Sequence, residues 1–333
     1  MTQKHPKPLR ILTWHVHGSY LYYLSHTPVE FYLLSKPDRG PGYVGRHGHF
    51  PWGPNVHDMP ASEVKSHAFD CVLFQSHAHY LKDQHEILSP AQRRLPRIFL
   101  EHDPPREHPT DTKHPVDDPE ILLVHVTHFN RLMWDNGRTP TRVIPHGVTL
   151  PPDVRYRGDK ERGLVVVNHL ARRGRRLGAD IYAQARSHVP LDLIGMGSDE
   201  SPGGIGEIQH DQLPAFAASY RFLFNPIRYT SLGLAVCEAM LLGMPIVGLA
   251  TTEMASAIEH GKSGYVHTDV NVLIDGMRYL IAHPEEAKRL GERACVVARE
   301  RFGIERFARD WLETFAWVAN RSINVRVASH GLT

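Results

Sequence analysis

The apolar positions of the chain fall in short runs separated by loops and by stretches with helical spacing. In the first half these runs are RILTW (10–14), CVLFQ (71–75), RIFLE (97–101), ILLVHV (121–126) and RVIPHG (142–147). Runs apolar on both faces are what a parallel sheet covered by helices requires. A second series follows: GLVVVN (163–168), LDLIG (191–195), RFLFNP (221–226), PIVGLA (245–250) and GYVHT (264–268). Strand and helix alternating in two blocks predict an α/β protein with two doubly wound, Rossmann-like parallel-sheet domains.

A length of 333 residues suits two domains of about 150 each. The segment TLPPDVRYRGDKERG (149–163), rich in Pro, Gly and charge and without periodicity, reads as the linker. The expected division is an N-terminal domain over 1–155, a C-terminal domain over 156–305, and a helix over 306–333 packing back on the N-terminal domain. Pro and Gly are dense in 31–65, through KPDRGPGYVGRHGHFPWGP, which predicts a long loop between the first and second strands. In the tail helix Phe307, Trp311, Phe315 and Trp317 are expected close to one face, packed on a domain surface. No internal repeat or low-complexity tract occurs.

Composition narrows the partners. With 41% hydrophobic and 22% charged residues and a net charge of +2, nothing argues for nucleic acid, and membrane contact is at most peripheral. The start of the chain has no sustained apolar core and no 18-residue apolar run appears, so a cytoplasmic location is expected. Cys71, Cys237 and Cys295 lie far apart and suggest neither a zinc knuckle nor a disulfide framework. Of 24 histidines, 17 precede residue 147. The pairs His15/His17, His47/His49 and His77/His79 would each share one face of a strand and chelate a metal. Without a His-Glu-x-x-His pattern, scattered cleft, loop and surface histidines are the preferred reading, and no metal is expected.

In open α/β sheets ligands bind beyond the carboxyl ends of the strands. His15, His17, His77, His79, His102 and His146 all fall at such ends, and in the second half so do NHLARRGRR, GMG, NPIRYTSLG and ATTEMAS. Two polar edges predict an interdomain cleft. The run Arg172, Arg173, Arg175, Arg176 is either a solvated basic turn or a polyanion clamp; guanidinium pairing with phosphate oxygens favours the clamp, and a diphosphate suits it. Gly233 before a helix lets amides approach an anion. Glu238, in the apolar stretch TSLGLAVCEAMLLGMP, needs donors if it is buried. A salt bridge to an arginine or a simple exposed position would explain it; so would a ligand with paired hydroxyls, such as a ribose.

Residues 164–320 resemble the C-terminal domain of retaining glycosyltransferase family 4, whose two-domain architecture is called GT-B. The landmarks, in order, are VIPHGV (143–148), LIGMG (193–197), SLGLAVCEAMLLGMPIVG (231–248) and EHGKSGYV (259–266). The likeness implies that Glu238 is the second glutamate of the family's Glu, seven residues, Glu signature and holds the donor ribose. Thr230 stands where the first glutamate, near the donor sugar, would be. Ser231, Leu232, Gly233 and Leu234 would cradle phosphate and sugar, and Ile208 would lie near the base. His169 takes the place of a family arginine and Arg175 that of the diphosphate lysine, with Arg172, Arg173 and Arg176 beside them. Gly18 and Ser19 resemble the family's glycine-rich loop, and His102 the histidine near the reacting sugar, with His77 or His79 as substitutes. His102 and Thr230 are thus the implied catalytic positions. The implied reaction moves a sugar from a nucleoside diphosphate sugar to an acceptor hydroxyl with retention, without cofactor or metal, and no Asp-x-Asp is present. The acceptor, whether glycan, lipid-linked sugar or small molecule, is unassigned. Two alternatives are a sugar-nucleotide epimerase using Glu101, Asp103 or Glu253, and a non-catalytic sugar-nucleotide or glycan-binding protein, given Thr230 and His169.

Overall fold

The computed structural model describes residues 7–330. They form two compact units, one made by the chain up to Pro145 together with the residues from Ile304 onward, the other by His146–Gly303.

The first unit is built on seven strands: β1 (Arg10–Thr13), β2 (Glu30–Ser35), β3 (Val56–Pro60), β4 (Cys71–Phe74), β5 (Arg97–Glu101), β6 (Ile121–His125) and β7 (Thr141–Val143). Their order is β3-β2-β1-β4-β5-β6-β7, and every pairing is parallel. The second unit carries β8 (Lys160–Val166), β9 (Leu191–Ile194), β10 (Tyr220–Asn225), β11 (Ile246–Leu249) and β12 (Gly264–His267), in the order β12-β11-β10-β8-β9 and again all parallel. Both sheets are doubly wound α/β, and the direction of winding reverses between β1 and β4 in one and between β8 and β10 in the other. β4 and β10 are buried along their whole length, which explains why their sequences read as unbroken apolar runs.

Two strands were hidden in the segment expected to be one long loop. The stretch EFYLLS forms β2 and VHDMP forms β3, leaving only residues 36–55 between them as irregular chain. Phe31, Leu33 and Leu34 are buried, and β2 pairs with β1 from Arg10↔Glu30 to Thr13↔Leu33. The flanking Pro and Gly residues mask this run in the sequence, because what selects it is a neighbour 20 residues away.

The boundary also falls elsewhere, at 145/146 rather than 155. Residues 149–163 are not a free linker: the Arg157 and Gly158 amides donate to the Ala218 carbonyl, Tyr156 Oη donates to Arg221 O at 2.6 Å, and β8 starts at Lys160. These partners are distant in sequence, so the segment's polar composition gives no sign of them.

The chain ends in the helices Pro284–Phe302 and Ile304–His330. Within the first unit Phe307, Trp311 and Phe315 are fully buried, Trp311 Nε1 donates to Tyr20 Oη at 3.2 Å, and Phe315 meets Phe31. Trp317 departs from the expected face and is 42% exposed. At ~100° per residue it lies about 200° round the helix from Phe315, where the Arg142 guanidinium sits over its ring.

Candidate functional site

In the second unit the reversal point between β8 and β10 collects most of the residues singled out in the sequence. β8 ends at Val166, and His169 follows in the left-handed conformation (φ 51°), its amide donating to Met196 O at 2.6 Å and so tying the end of β8 to that of β9. A left-handed non-glycine residue at a strand end costs about 1–3 kcal/mol and concentrates at functional sites. The chain then makes two tight turns, Leu170–Arg173 and Gly174–Leu177, which bear Arg172, Arg173, Arg175 and Arg176. Gly178 closes them with φ +81°, and a Cβ there would lie 2.0 Å from the Pro226 carbonyl oxygen. Only glycine lets this turn rest against the end of β10.

That contact brings in two residues whose role the sequence did not signal. Arg228, two residues after Pro226, donates from both terminal nitrogens to Asp180 at 2.5 and 2.7 Å, while Arg175 donates to the same carboxylate at 2.5 Å. The Arg228 and Tyr229 amides both donate to Arg176 O, locking the two loops together. Hydrogen bonding from Arg228 holds the Asp180 carboxyl down at about 2. Two guanidiniums on one carboxylate leave the cluster net positive, with Arg172 exposed beside it. Arg228 lay unassigned inside NPIRYTSLG, and Asp180 inside LGADIYAQA; no spacing rule links them.

From Arg228 the chain runs through Thr230, partly exposed, and the buried Ser231 and Leu232 to Gly233, where the helix Leu234–Leu242 begins. A Cβ on Gly233 would meet nothing within 4 Å, so the space in front of this helix start is open. The turn is positioned by His146, buried, whose Nε2–H donates to Leu232 O at 2.7 Å. Glu238 is half-buried rather than enclosed, and it stands on a narrow apolar pocket lined by Leu150, Val166, Leu213 and Leu242. Ile208 lies beyond the carboxyl edge of β9, on a segment fixed by Gly195 N donating to Gly206 O.

In the first unit the reversal point gathers His17, Gly18, Gln75 and His102. Gln75 is buried, and its amide nitrogen donates to Thr13 Oγ1 and to the Trp14 carbonyl, both at 3.1 Å. A carbonyl only accepts, so the Gln75 oxygen faces His102 Nε2 at 3.2 Å, which makes that nitrogen the donor. The His17 and Tyr20 rings flank His102, with ring centres 4.0 and 4.7 Å away. Ser19 is partly exposed in the helix Gly18–Leu24.

His77 and His79 do not share a face. His77 and His79 lie past the end of β4, and the chain there turns into a π-helical segment, His79–Asp83. His79 stacks on Trp14 and burial pushes it down to about 4, whereas His77 turns to Glu101. Among the described residues His77, Glu101 and His114 form the one group with metal-ligand proximity. The hydrogen bonds argue for a proton-filled hub: the Val116 amide donates to His114 Nδ1 at 3.0 Å, so His114 Nε2 carries the hydrogen that it gives to Glu101 Oε2 at 3.1 Å. Burial alone would raise the Glu101 carboxyl, but hydrogen bonds from His114, His77 and the Asp103 amide outweigh it and bring it to about 2. An acid held so firmly ionised is a poor proton shuttle. Of the other carboxylates considered for epimerisation, Asp103 pairs with Arg106, and Glu253 lies in the other unit against Ser256.

Residues 202–283 match the family model described as Glycosyl transferases group 1. The likeness to group 1 glycosyltransferases stands. Trehalose synthase of Pyrococcus horikoshii is 25% identical over 40% of this chain and 38% of its own length, and that of Thermococcus litoralis is 26% identical over 40% and 39%. The chain therefore spans about two fifths of the curated relatives it matches. Among solved structures, sucrose-phosphate synthase from Thermosynechococcus elongatus aligns with a TM-score of 0.64 at 15% identity, covering 94% of this chain and 99% of the other. The Anabaena protein HepE, solved in complex with UDP, gives 0.64 at 14% identity over 93% and 100%. The shared fold is that of GT-B glycosyltransferases. The matched segment contains Ile208, Thr230, Gly233 and Glu238; His169, the arginine turns and the whole first unit lie outside it.

Proposed function

We propose that this protein is a retaining, metal-independent glycosyltransferase that moves a hexose from a nucleoside diphosphate sugar to an acceptor hydroxyl. One observation carries the reading. At the reversal point of the second sheet, the guanidiniums of Arg175 and Arg228 converge on one carboxylate next to the open start of the helix Leu234–Leu242. Charge that builds on a departing diphosphate is stabilised by fixed donors and a helix N-terminus, which need no reorganisation during reaction. The net positive balance of the cluster has the sign a diphosphate requires, and supplies that stabilisation without a metal.

Glu238 takes the ribose hydroxyls, and the apolar pocket beneath it keeps water from competing for them. His102 and Thr230 keep the roles the likeness implies, an imidazole and a hydroxyl beside the sugar being transferred. A threonine donates and accepts one hydrogen bond where a carboxylate would only accept, so donor-sugar choice differs from that of relatives with glutamate there. HepE has been solved with UDP and with UDP-glucose, which supports a nucleotide-sugar donor. No helix among the described residues is long and apolar enough to cross a membrane.

The test is release of nucleoside diphosphate from UDP-, GDP-, ADP- and dTDP-sugars with a panel of acceptors, with and without EDTA, and NMR of the product anomer. Retained configuration and activity unchanged by EDTA are expected. Nucleotide binding without turnover would favour a binding protein, and an epimerised nucleotide sugar without acceptor would overturn the transferase reading.

A further inference from the structure

Past the carboxyl ends of the neighbouring strands β4 and β5, two side-chain hydrogen bonds join the chain segments: Gln75 with His102, and His77 with Glu101. The second pair has no part in the chemistry described so far. Glu101, the last residue of β5, is buried and receives three donors: the Asp103 amide on Oε1 at 2.9 Å, and His114 Nε2 and His77 Nε2 on Oε2 at 3.1 and 3.2 Å. Burial opposes its charge, but the hydrogen bonds from His114 and His77 keep it ionised. A carboxylate only accepts, so His77 Nε2 carries the hydrogen and, in the neutral ring, Nδ1 carries the lone pair.

The two histidines of this hub differ. His114 is enclosed and both of its nitrogens are engaged. The His77 side chain is 41% exposed, and its Nδ1 makes no hydrogen bond among the described residues. The His77 ring is nonetheless fixed: it stacks on Phe99 with centres 5.5 Å apart and meets His114 and Trp134 edge-on at 5.4 and 6.3 Å. Trp134 Nε1 donates to Asp103 O at 2.8 Å, which pins the chain that follows Glu101. His114 and the Asp103 amide already engage both oxygens of Glu101, so burial of the carboxylate does not depend on a third donor from a half-exposed ring. One imidazole nitrogen on a buried carboxylate and the other bare is the arrangement of a proton acceptor, in which the carboxylate sets the tautomer and stabilises the imidazolium that forms. Glu101 is next in the chain to His102, the imidazole beside the sugar in the proposed function, so the pair lies at the edge where an acceptor hydroxyl has to arrive.

We propose that His77 Nδ1 is the base that takes the proton of the acceptor hydroxyl, with Glu101 as its positioning residue. The proposal rests on the transferase reading, which supplies the hydroxyl. As the acceptor oxygen bonds to the anomeric carbon, its O–H bond breaks and the proton passes to Nδ1. The bond from that carbon to the diphosphate oxygen breaks, and its electron pair leaves with the nucleoside diphosphate. The His77 imidazolium then returns its proton to water.

The experiment follows transfer by the whole chain, by His77→Ala and by His77→Gln, whose amide can still donate to Glu101 and keep the hub closed. Both variants are expected to lose about 10²–10⁴-fold in kcat with hydroxyl acceptors, with UDP affinity unchanged. Added imidazole should restore turnover to His77→Ala, and azide, an acceptor with no proton to lose, should be glycosylated by parent and variants alike. Glu101→Gln should lose kcat with hydroxyl acceptors and keep it with azide, a split that a merely structural defect does not produce. Hydroxyl transfer within threefold of the parent in both His77 variants overturns the assignment, as does a loss that neither imidazole nor azide relieves. A parent that turns over no donor with any hydroxyl acceptor or with azide refutes the transferase reading itself, and the role of His77 falls with it.

Discussion

Replacing Glu238 by alanine separates a ligand carboxylate from a structural one. Glu238 lies in the middle of the nine-residue helix Leu234–Leu242, half-buried on the rim of a pocket whose other walls are apolar. Alanine is a better helix former than glutamate by a few tenths of a kcal/mol, and the position is half-buried rather than enclosed. The stability of Glu238→Ala should therefore stay within about 0.5 kcal/mol of the parent in urea unfolding. Binding should respond differently. Two charge-assisted hydrogen bonds to ribose hydroxyls, each worth about 1.5 kcal/mol at the low end, amount to roughly 3 kcal/mol, or about a hundredfold in affinity. Titration with UDP should show that loss. Titration with pyrophosphate, which has no ribose, should give the same affinity in both proteins. If UDP affinity changes less than threefold, or if pyrophosphate weakens in parallel, Glu238 is not the ribose ligand and the reasoning from pocket to nucleoside is wrong.

Three further outcomes are expected. Gly178→Ala combines a left-handed conformation with a Cβ 2.0 Å from the Pro226 carbonyl oxygen; it should cost about 3 kcal/mol or more in urea unfolding and weaken UDP binding as the Arg175 and Arg228 loops part, and an unfolding midpoint equal to the parent's would contradict this. The Glu101 carboxyl sits at about 2 when folded, below its ordinary value, so its contribution is fully present above pH ~4.5 and is lost as pH falls toward 2; stability followed by circular dichroism should drop by a few kcal/mol across that window, and Glu101→Gln should flatten the drop. Thr252, a β-branched residue at φ 53°, should gain about 1 kcal/mol of thermal stability on replacement by asparagine, which tolerates that conformation; a lower Tm would show that the threonine side chain makes up for its backbone strain.

Tyr22 lies soon after the first strand and Trp52 in the Pro- and Gly-dense stretch, and nothing local indicates that their rings meet. The same holds for Arg175, Asp180 and Arg228, which meet only because β8 and β10 are neighbours in the sheet. His77 and His79 show the reverse error: a spacing that suggests chelation on a strand means little once the strand ends at Phe74.

Legible in the residues alone were the alternation of strand and helix, ten of the twelve strands found among the described residues to within a few residues, and the order of the motifs around Glu238. Those features are local or periodic, set by which residues fit a strand buried on both faces. Only the folded chain settles the rest: β2, recruited by β1, and β3, recruited by β2, despite their Pro- and Gly-rich surroundings; the division at 145/146, with residues 157–164 held by the Ala218 carbonyl and the pairing of β8 with β10; and the donor role of His102 Nε2, set by Gln75. Each depends on a partner many residues away, and a hydrogen bond or a packed face has no sequence signal until the fold has brought both sides together.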